Sequence, residues 1–146
     1  MGKMTKLNVY LNFQGNAEEA FKFYQSIFGG EFTSVVRFKD MPIPGMSLPQ
    51  KDENKMMHIA LPVDNDVIMA SDVPEASGRK LHQGNNIFLS LHPESKEEAD
   101  RFFNGLSAGG KIEMPMAKQA WGDYYGSLTD KFGIGWMVNF ATPKPG

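Results

Sequence analysis

The sequence predicts an α+β fold made of two βαβββ modules, because one order of elements occurs twice along the chain. In each half a strand, a capped amphipathic helix, a glycine stop and further strands follow one another. The first helix runs from Asn16 to Phe28 and stops at Gly29-Gly30. The second runs from Ser95 to Leu106 and stops at Gly109-Gly110, about 80 residues after the first stop. We therefore expect a curved, mostly antiparallel sheet around a cavity, with both helices packed outside it.

The first module spans about residues 5–73. Leu7–Phe13 alternates apolar and polar side chains, which is typical of a strand. Asn16 is a favourable helix N-cap, and Glu19 three residues later completes a capping-box pattern. Apolar side chains then form one stripe of the helix. The other strands predicted in this module cover residues 32–38, Met56–Val63 and Val67–Ser71.

Two irregular segments interrupt the regular elements. The loop Asp40–Asn54 contains three prolines and is long for a connection in a compact domain, which is typical of a lid or a dimer arm. Residues 74–84 contain Pro, Ser and two Gly and are predicted to link the modules.

The second module spans about residues 85–141. Ser95 is predicted to cap its helix, with Glu98 at the capping-box position. A tight turn over Thr129–Gly133 leads into the last strand, and the tail Thr142–Gly146 is expected to fray. The strands predicted in this module cover Asn85–Leu91, Lys111–Met116, Tyr124–Leu128 and Trp136–Phe140.

Composition excludes several classes of function. The 15 basic and 17 acidic residues are scattered, so no basic stripe indicates nucleic-acid binding. No apolar run reaches the ~20 residues that span a bilayer, so we expect no membrane partner. The chain has no cysteine, which excludes disulfides and thiolate metal sites and is typical of a cytoplasmic protein.

Several motifs carry a family resemblance that covers most of the chain. They are Val9-Tyr10-Leu11-Asn12-Phe13, Gly15-Asn16, the stretch 19–24, Phe28-Gly29-Gly30, Met69-Ala70-Ser71-Asp72, the stretch 129–133 and Trp136-Met137. Together they resemble the PhnB-like branch of the vicinal oxygen chelate superfamily, which includes glyoxalase I, fosfomycin-resistance proteins and extradiol dioxygenases. This branch is often labelled 3-demethylubiquinone-9 3-methyltransferase-like. The resemblance implies one glyoxalase-like domain over residues 1–146 and, with the exposed module edges, a homodimer.

The resemblance also implies where a metal would bind. The family holds a divalent ion with His, Glu or Gln on the first and last strands of each module, where the ion acts as a Lewis acid. Those strands of this chain carry no His or Glu, and Met137 occupies the position of a family Glu ligand. A thioether is a poor ligand for such ions. We therefore predict no metal and no other cofactor.

The candidate residues each allow two interpretations. His58 is either a hydrogen-bonded strand histidine or a base facing the cavity. Glu113 faces either the cavity or solvent, and Asp72 either orients a ligand or caps the turn that follows it. The aromatic cluster around Trp121 borders either the cavity or a dimer contact. The predicted ligand-binding residues are Tyr10, Asn12, His58, Met69, Ser71, Asn86, Trp121 and Met137.

These observations favour a protein that binds a small, moderately apolar molecule without a metal. Neutral hydrogen-bonding side chains on the predicted cavity strands suit an organic ligand. One alternative is a metal-dependent lyase or dioxygenase that uses unusual ligands such as His58 or Glu113. A methyltransferase is a third hypothesis, implied only by the label of the branch. The sequence leaves open whether any reaction is catalysed.

Overall fold

The computed structural model describes residues 5–41, 44–45 and 47–142. The chain divides into two compact units, residues 1–82 and 83–146. Each contains one four-stranded sheet and one α-helix, which confirms the predicted α+β fold with duplicated modules. No helix among the described residues is long and apolar enough to cross a membrane.

In the first unit the helix covers one face of the sheet. The elements of this unit are β1 (Val9–Phe13), α1 (Ala17–Phe28), β2 (Ser34–Arg37), β3 (Met56–Val63) and β4 (Asp66–Asp72). The strand order is β1-β4-β3-β2, and only the β1–β4 pair is parallel. Phe13 of β1 meets Phe21 of the helix edge to face, with ring centroids 6.4 Å apart, and both rings are buried. The first strand begins at Val9 rather than at Leu7, which is almost fully exposed.

The predicted capping box at the start of α1 is wrong. Asn16 precedes the helix, but its side chain makes no capping hydrogen bond. The cap comes instead from Asp72 at the end of β4, whose Oδ1 accepts hydrogen bonds from the amides of Gly15 and Ala17 at 2.9 and 3.0 Å. A buried carboxylate at a helix N-terminus accepts hydrogen bonds from amides that have no partner within the helix, and its negative charge interacts favourably with the helix dipole. Asp72 thus holds backbone amides at the turn before α1 and at the start of β3, and no bond from its carboxylate to the turn that follows it, where a cap was predicted, is found among the described residues.

The long segment between β2 and β3 is anchored by a buried carboxylate. It contains two short 3-10 turns, at Phe38–Asp40 and Gln50–Asp52, while residues 42, 43 and 46 of the predicted loop lie outside the described residues. Asp52 accepts a hydrogen bond from Lys55 Nζ at 2.8 Å and two more from amides of the 3-10 turn Glu75–Ser77. The Lys55 ammonium group, and then these amides, lower the pKa of Asp52.

The second unit repeats the plan of the first. Its elements are β5 (Phe88–Leu91), α2 (Lys96–Ser107), β6 (Lys111–Lys118), β7 (Tyr124–Thr129) and β8 (Gly135–Phe140). Its strand order is β5-β8-β7-β6, with only β5 and β8 parallel. Ser95 caps the helix as predicted, since its Oγ accepts a hydrogen bond from the Glu98 amide at 3.1 Å. A Cβ added at Gly126 of β7 would lie 2.9 Å from the ring of Phe103, so the helix packs closely against this strand.

Tyr124 fixes one end of α2 against the sheet. Its hydroxyl donates to Asp100 Oδ1 at 2.5 Å, and this hydrogen bond to a carboxylate raises the pKa of Tyr124 to about 12. Ionisation of the phenol would remove the donor and leave two anions in contact. The hydrogen bond therefore stabilises only the protonated form.

We expect the Tyr124→Phe variant to lose about 1 kcal/mol of stability at neutral pH. Because the pKa is raised in the folded state, the contribution is complete below the ordinary value of 10.0 and is lost as the pH rises toward about 12. The difference between alkaline absorbance titrations of wild type and variant isolates this one tyrosine. A difference curve with a midpoint at the ordinary tyrosine value would contradict the prediction.

Candidate functional site

The first sheet brings five of the predicted ligand-binding residues onto one face. Phe13 faces α1, so Tyr10 and Asn12, which alternate with it on β1, lie on the opposite face. In the β1–β4 register Tyr10 pairs with Met69 and Asn12 pairs with Ser71. We call this surface helix-free face 1. Its polar, aromatic and sulfur-containing residues are Tyr10, Asn12, Ser34, His58, Met69 and Ser71, and the register also places Val36 and Ala60 on it.

His58 is held on helix-free face 1 through one of its two ring nitrogens. Its Nδ1 lies 2.9 Å from Ser34 Oγ on the neighbouring strand, and the side chain is half-buried. Nε2 has no hydrogen-bond partner among the residues that the structure describes. The Tyr10 ring lies 5.9 Å from the imidazole at an interplanar angle of 41° and is 46% exposed. One nitrogen is therefore fixed, and the other is free to contact a ligand beside an aromatic ring.

The rest of helix-free face 1 is uncharged and combines polar with apolar side chains. Ser71 Oγ donates to Asn12 Oδ1 at 3.4 Å, so hydroxyl and amide groups lie side by side. Met69 is half-buried beside Tyr10 and offers a soft, adaptable apolar surface. This mixture of one aromatic, one thioether and several uncharged hydrogen-bonding groups is typical of a site for a small organic molecule.

The second sheet has a corresponding surface. Tyr124 bonds to α2, so Tyr125 next to it lies on the opposite face, as does Asn139, its register partner on β8. Met137 lies two positions before Asn139 on the same face and pairs with Ser90 and Ser127. We call this surface helix-free face 2, and its residues are Ser90, Tyr125, Ser127, Met137 and Asn139.

Trp121 lies at the edge of helix-free face 2. It occupies the turn between β6 and β7, where its ring meets that of Tyr125 at a centroid distance of 5.7 Å and an angle of 65°. It is 55% exposed. Asp123, in the same turn, accepts a hydrogen bond from Asn139 Nδ2 at 3.1 Å.

Asn86 does not lie on a strand. Strand β5 begins at Phe88, because β8, with which it pairs, begins at the register partner Gly135. Asn86 therefore falls in a bend before the strand and is exposed. Its predicted position on a cavity strand is wrong, and it is not one of the residues grouped on either helix-free face.

The donor groups on β1, β4, β5 and β8 do not fit the divalent centre that the resemblance implies. Strands β1 and β5 carry no His, Asp or Glu, and Met137 of β8 is a thioether. On β4, Asp66 is exposed at the hairpin, while Asp72 binds three backbone amides. Within the described parts of the chain no three His, Asp or Glu side chains are grouped to hold one ion.

Of the candidate Glu113 and the two remaining histidines, Glu113 and His92 have side-chain partners, whereas His82 is exposed. Glu113 is exposed, lies 3.4 Å from Lys111 Nζ and accepts a long hydrogen bond from Thr129. His92 contacts Ser90 Oγ through Nε2 at 3.2 Å, and His82 is exposed.

Two residues that shape these surfaces were not predicted from the sequence. Ser34 positions the imidazole of His58, and Asp123 contributes a carboxylate beside Tyr125 and Asn139. The alternation of Ser34 with Val35 on a predicted strand was a signal for the first residue. For Asp123 the signal was its place within the aromatic cluster Trp121–Tyr125.

Comparison with known protein families identifies the fold family. The model of the Glyoxalase/Bleomycin resistance protein/Dioxygenase superfamily matches residues 6–138. Protein YjdN from Escherichia coli is 33% identical over 149 residues, which cover 95% of this chain and 97% of that protein.

Two solved structures resemble the chain over nearly its whole length. Protein PA1353 from Pseudomonas aeruginosa is 34% identical with a TM-score of 0.84, covering 96% of this chain and 100% of its own. The PhnB protein from Bacillus cereus, which bears a provisional 3-demethylubiquinone-9 3-methyltransferase name, is 29% identical with a TM-score of 0.75. That match covers 94% of this chain and 100% of the Bacillus chain.

Proposed function

This chain belongs to the Glyoxalase/Bleomycin resistance protein/Dioxygenase superfamily, and from that premise we propose that it binds a small organic molecule without a catalytic metal. The ligand contacts helix-free face 1. The observation that supports this most directly is the state of His58: Nδ1 is held by Ser34, and Nε2, beside the exposed ring of Tyr10, has no partner in the part of the chain that the structure describes.

The side chains around His58 indicate the shape of the ligand. Tyr10 and Met69 offer a flat aromatic wall and a soft thioether, which suit an unsaturated or aromatic group. Asn12 and Ser71 offer uncharged donors and acceptors. We infer a ligand with one flat apolar part over Tyr10 and one oxygen or nitrogen group bonded to His58 Nε2.

The side chains on β1, β4, β5 and β8 also argue against a metal-dependent reaction. The donors on the four relevant strands do not fit a divalent ion, and Glu113 is engaged with Lys111 and Thr129. Elemental analysis of protein purified without chelator tests this directly. Stoichiometric Mn, Fe, Ni, Co or Zn would contradict the metal-free assignment.

The binding proposal is tested by a thermal-shift screen of fragments that carry an aromatic ring and one polar acceptor, followed by calorimetry on the hits. A ligand at 100-fold excess over its Kd stabilises the folded protein by about 2.7 kcal/mol. We expect His58→Leu and Tyr10→Ala each to weaken the best hit by about tenfold or more, because each removes a direct contact.

His82→Ala is the matched control, since this exposed histidine lies outside helix-free face 1, and it should leave the affinity unchanged. Hits that bind all four proteins equally well would place the ligand elsewhere and refute the proposal. A fragment set without any binder would count against it as well.

A further inference from the structure

Trp121, Asp123 and Tyr125 converge at one corner of helix-free face 2. The rings of Trp121 and Tyr125 meet at 65° with centroids 5.7 Å apart. The Asp123 carboxylate is bonded to Asn139 at 3.1 Å, and Asn139 is the register partner of Tyr125 on the adjacent strand. Register partners on neighbouring strands have Cβ atoms about 5 Å apart. The carboxylate is thereby placed on the same face as Tyr125, against the residue that pairs with it.

The turn that carries these residues is held by its own hydrogen bonds. The Gln119 amide donates to the Asp123 carbonyl at 2.8 Å, and the Gly122 amide donates to the Gln119 carbonyl at 2.9 Å. Thr142 Oγ1 donates to the Gly122 carbonyl. Gly122 has a φ of 105°, a conformation that glycine adopts without strain. A site on this turn is therefore ordered before a ligand binds, which reduces the entropy lost on binding.

Among residues 119–123 of the turn, Asp123 carries the one charged side chain, and Lys118 directly precedes the turn. Aromatic faces carry negative potential, and the Asp123 carboxylate forms no ion pair with a basic side chain in the described residues. An exposed tryptophan next to a tyrosine at a steep angle gives two walls for one cation. The carboxylate adds Coulombic attraction, whereas an anionic ligand would be repelled.

We propose that Trp121, Tyr125 and Asp123, which we call the aromatic cage, bind an alkylated ammonium group. An alkylated ammonium combines a positive charge with an apolar surface and loses less hydration than a primary amine on contact with aromatic rings. This inference goes beyond the proposed function, because it depends only on residues 83–146 and a cation, whereas that function depends on helix-free face 1.

Trp121 reports on the cage in solution. Of the two tryptophans, Trp121 is 55% exposed and Trp136 is only 1% exposed, so a quencher or ligand in solution reaches the first. Choline is the probe, titrated at constant ionic strength. We expect a saturable change in fluorescence with a dissociation constant on the order of millimolar. A response that stays linear with concentration would overturn the proposal.

The uncharged analogue 3,3-dimethyl-1-butanol has the shape of choline without its charge. We expect it to bind at least about tenfold more weakly, because cation–π attraction and the carboxylate act only on charge. Equal binding of the two would show an apolar surface rather than a cation site and would overturn the inference. Free trimethyllysine carries the same trimethylammonium group. Tighter binding of choline would indicate a small-molecule ligand, tighter binding of trimethyllysine would indicate a modified protein side chain, and either result supports the cage.

Two variants that each remove one negative charge distinguish the local effect of the Asp123 carboxylate from the effect of the protein's net charge. Asp123→Asn retains an acceptor for Asn139 but removes the charge, and we expect it to weaken choline by about threefold to tenfold. Glu113→Gln removes one negative charge from β6 and should leave choline binding unchanged. Equal affinities for these two variants would refute a role for Asp123. Calorimetry on Trp121→Ala, which removes the fluorescent reporter, should show no binding.

Discussion

Replacing Asp130 with alanine is expected to destabilise the protein by about 4 kcal/mol. This residue lies between β7 and β8 and is 3% exposed. Its Oδ1 accepts hydrogen bonds from the amides of Phe132 and Ile134 at 2.8 and 3.1 Å, and its Oδ2 accepts one from Trp136 Nε1 at 2.8 Å. Alanine would leave buried donors without these acceptors, and an unsatisfied buried donor costs more than an average hydrogen bond provides.

Urea unfolding measures this loss of stability. We expect the midpoint to fall while the dependence of the unfolding free energy on urea concentration stays unchanged. Asp130→Asn should have a smaller effect, because its oxygen still accepts the turn amides while its NH2 group faces the indole donor. The exposed Asp66→Asn is the control and should change stability by less than about 0.5 kcal/mol. A loss below about 1 kcal/mol for Asp130→Ala would contradict the assignment of this carboxylate as the centre of the turn.

The hydrogen bonds of Asp130 also explain a motif that the sequence marks in two ways. Residues 129–133 are predicted to form a tight turn, and with Trp136 they belong to the motifs of the family resemblance, but neither observation gives a physical reason for their spacing. The structure supplies the reason, since one carboxylate closes the turn and orients a tryptophan that is almost fully buried. The sequence indicates that these residues belong together, and the structure shows the hydrogen bonds that join them.

The helices could be predicted closely because their signals are local. The apolar stripe and the glycine stop lie within the segment itself, and α1 and α2 end within one residue of the predicted Phe28 and Leu106. Strand ends depend on a partner strand that may lie far away in sequence. Leu7 continues the alternation of β1 but is 98% exposed, because the pairing of β1 with β4 begins only at Val9.

The candidate site was partly predictable for the same reason. Alternation along β1 places Tyr10 and Asn12 on one face of that strand, and alternation along β4 does the same for Met69 and Ser71, but only the register joins the two pairs on one surface. The contact between Tyr10 and His58 depends on strand order, which alternation does not contain. Short polar partners carry weak signals as well, and Ser34 was missed on that account.

The largest error of local reasoning concerns the start of α1, where a distant residue replaces the predicted cap. Asp72 accepts hydrogen bonds from Gly15 and Ala17, and its Oδ2 accepts another from the Met56 amide at 2.8 Å. It therefore joins the turn before α1, the start of β3 and the end of β4. No pattern within residues 14–20 could reveal a partner that lies 55 positions from Ala17.

Asp72→Ala should therefore cost about 3 kcal/mol, because three amides lose a charged acceptor at a buried position. Asn16→Ala is the matched comparison, since a true N-cap contributes about 1 kcal/mol whereas this side chain makes no capping bond. We expect Asn16→Ala to change the urea midpoint hardly at all, and only Asp72→Ala to accelerate hydrogen exchange at the amides of Gly15, Ala17 and Met56. Equal losses in the two variants would mean that the local cap operates after all. The acceptor that begins the first helix would then lie beside it in sequence rather than at the end of β4.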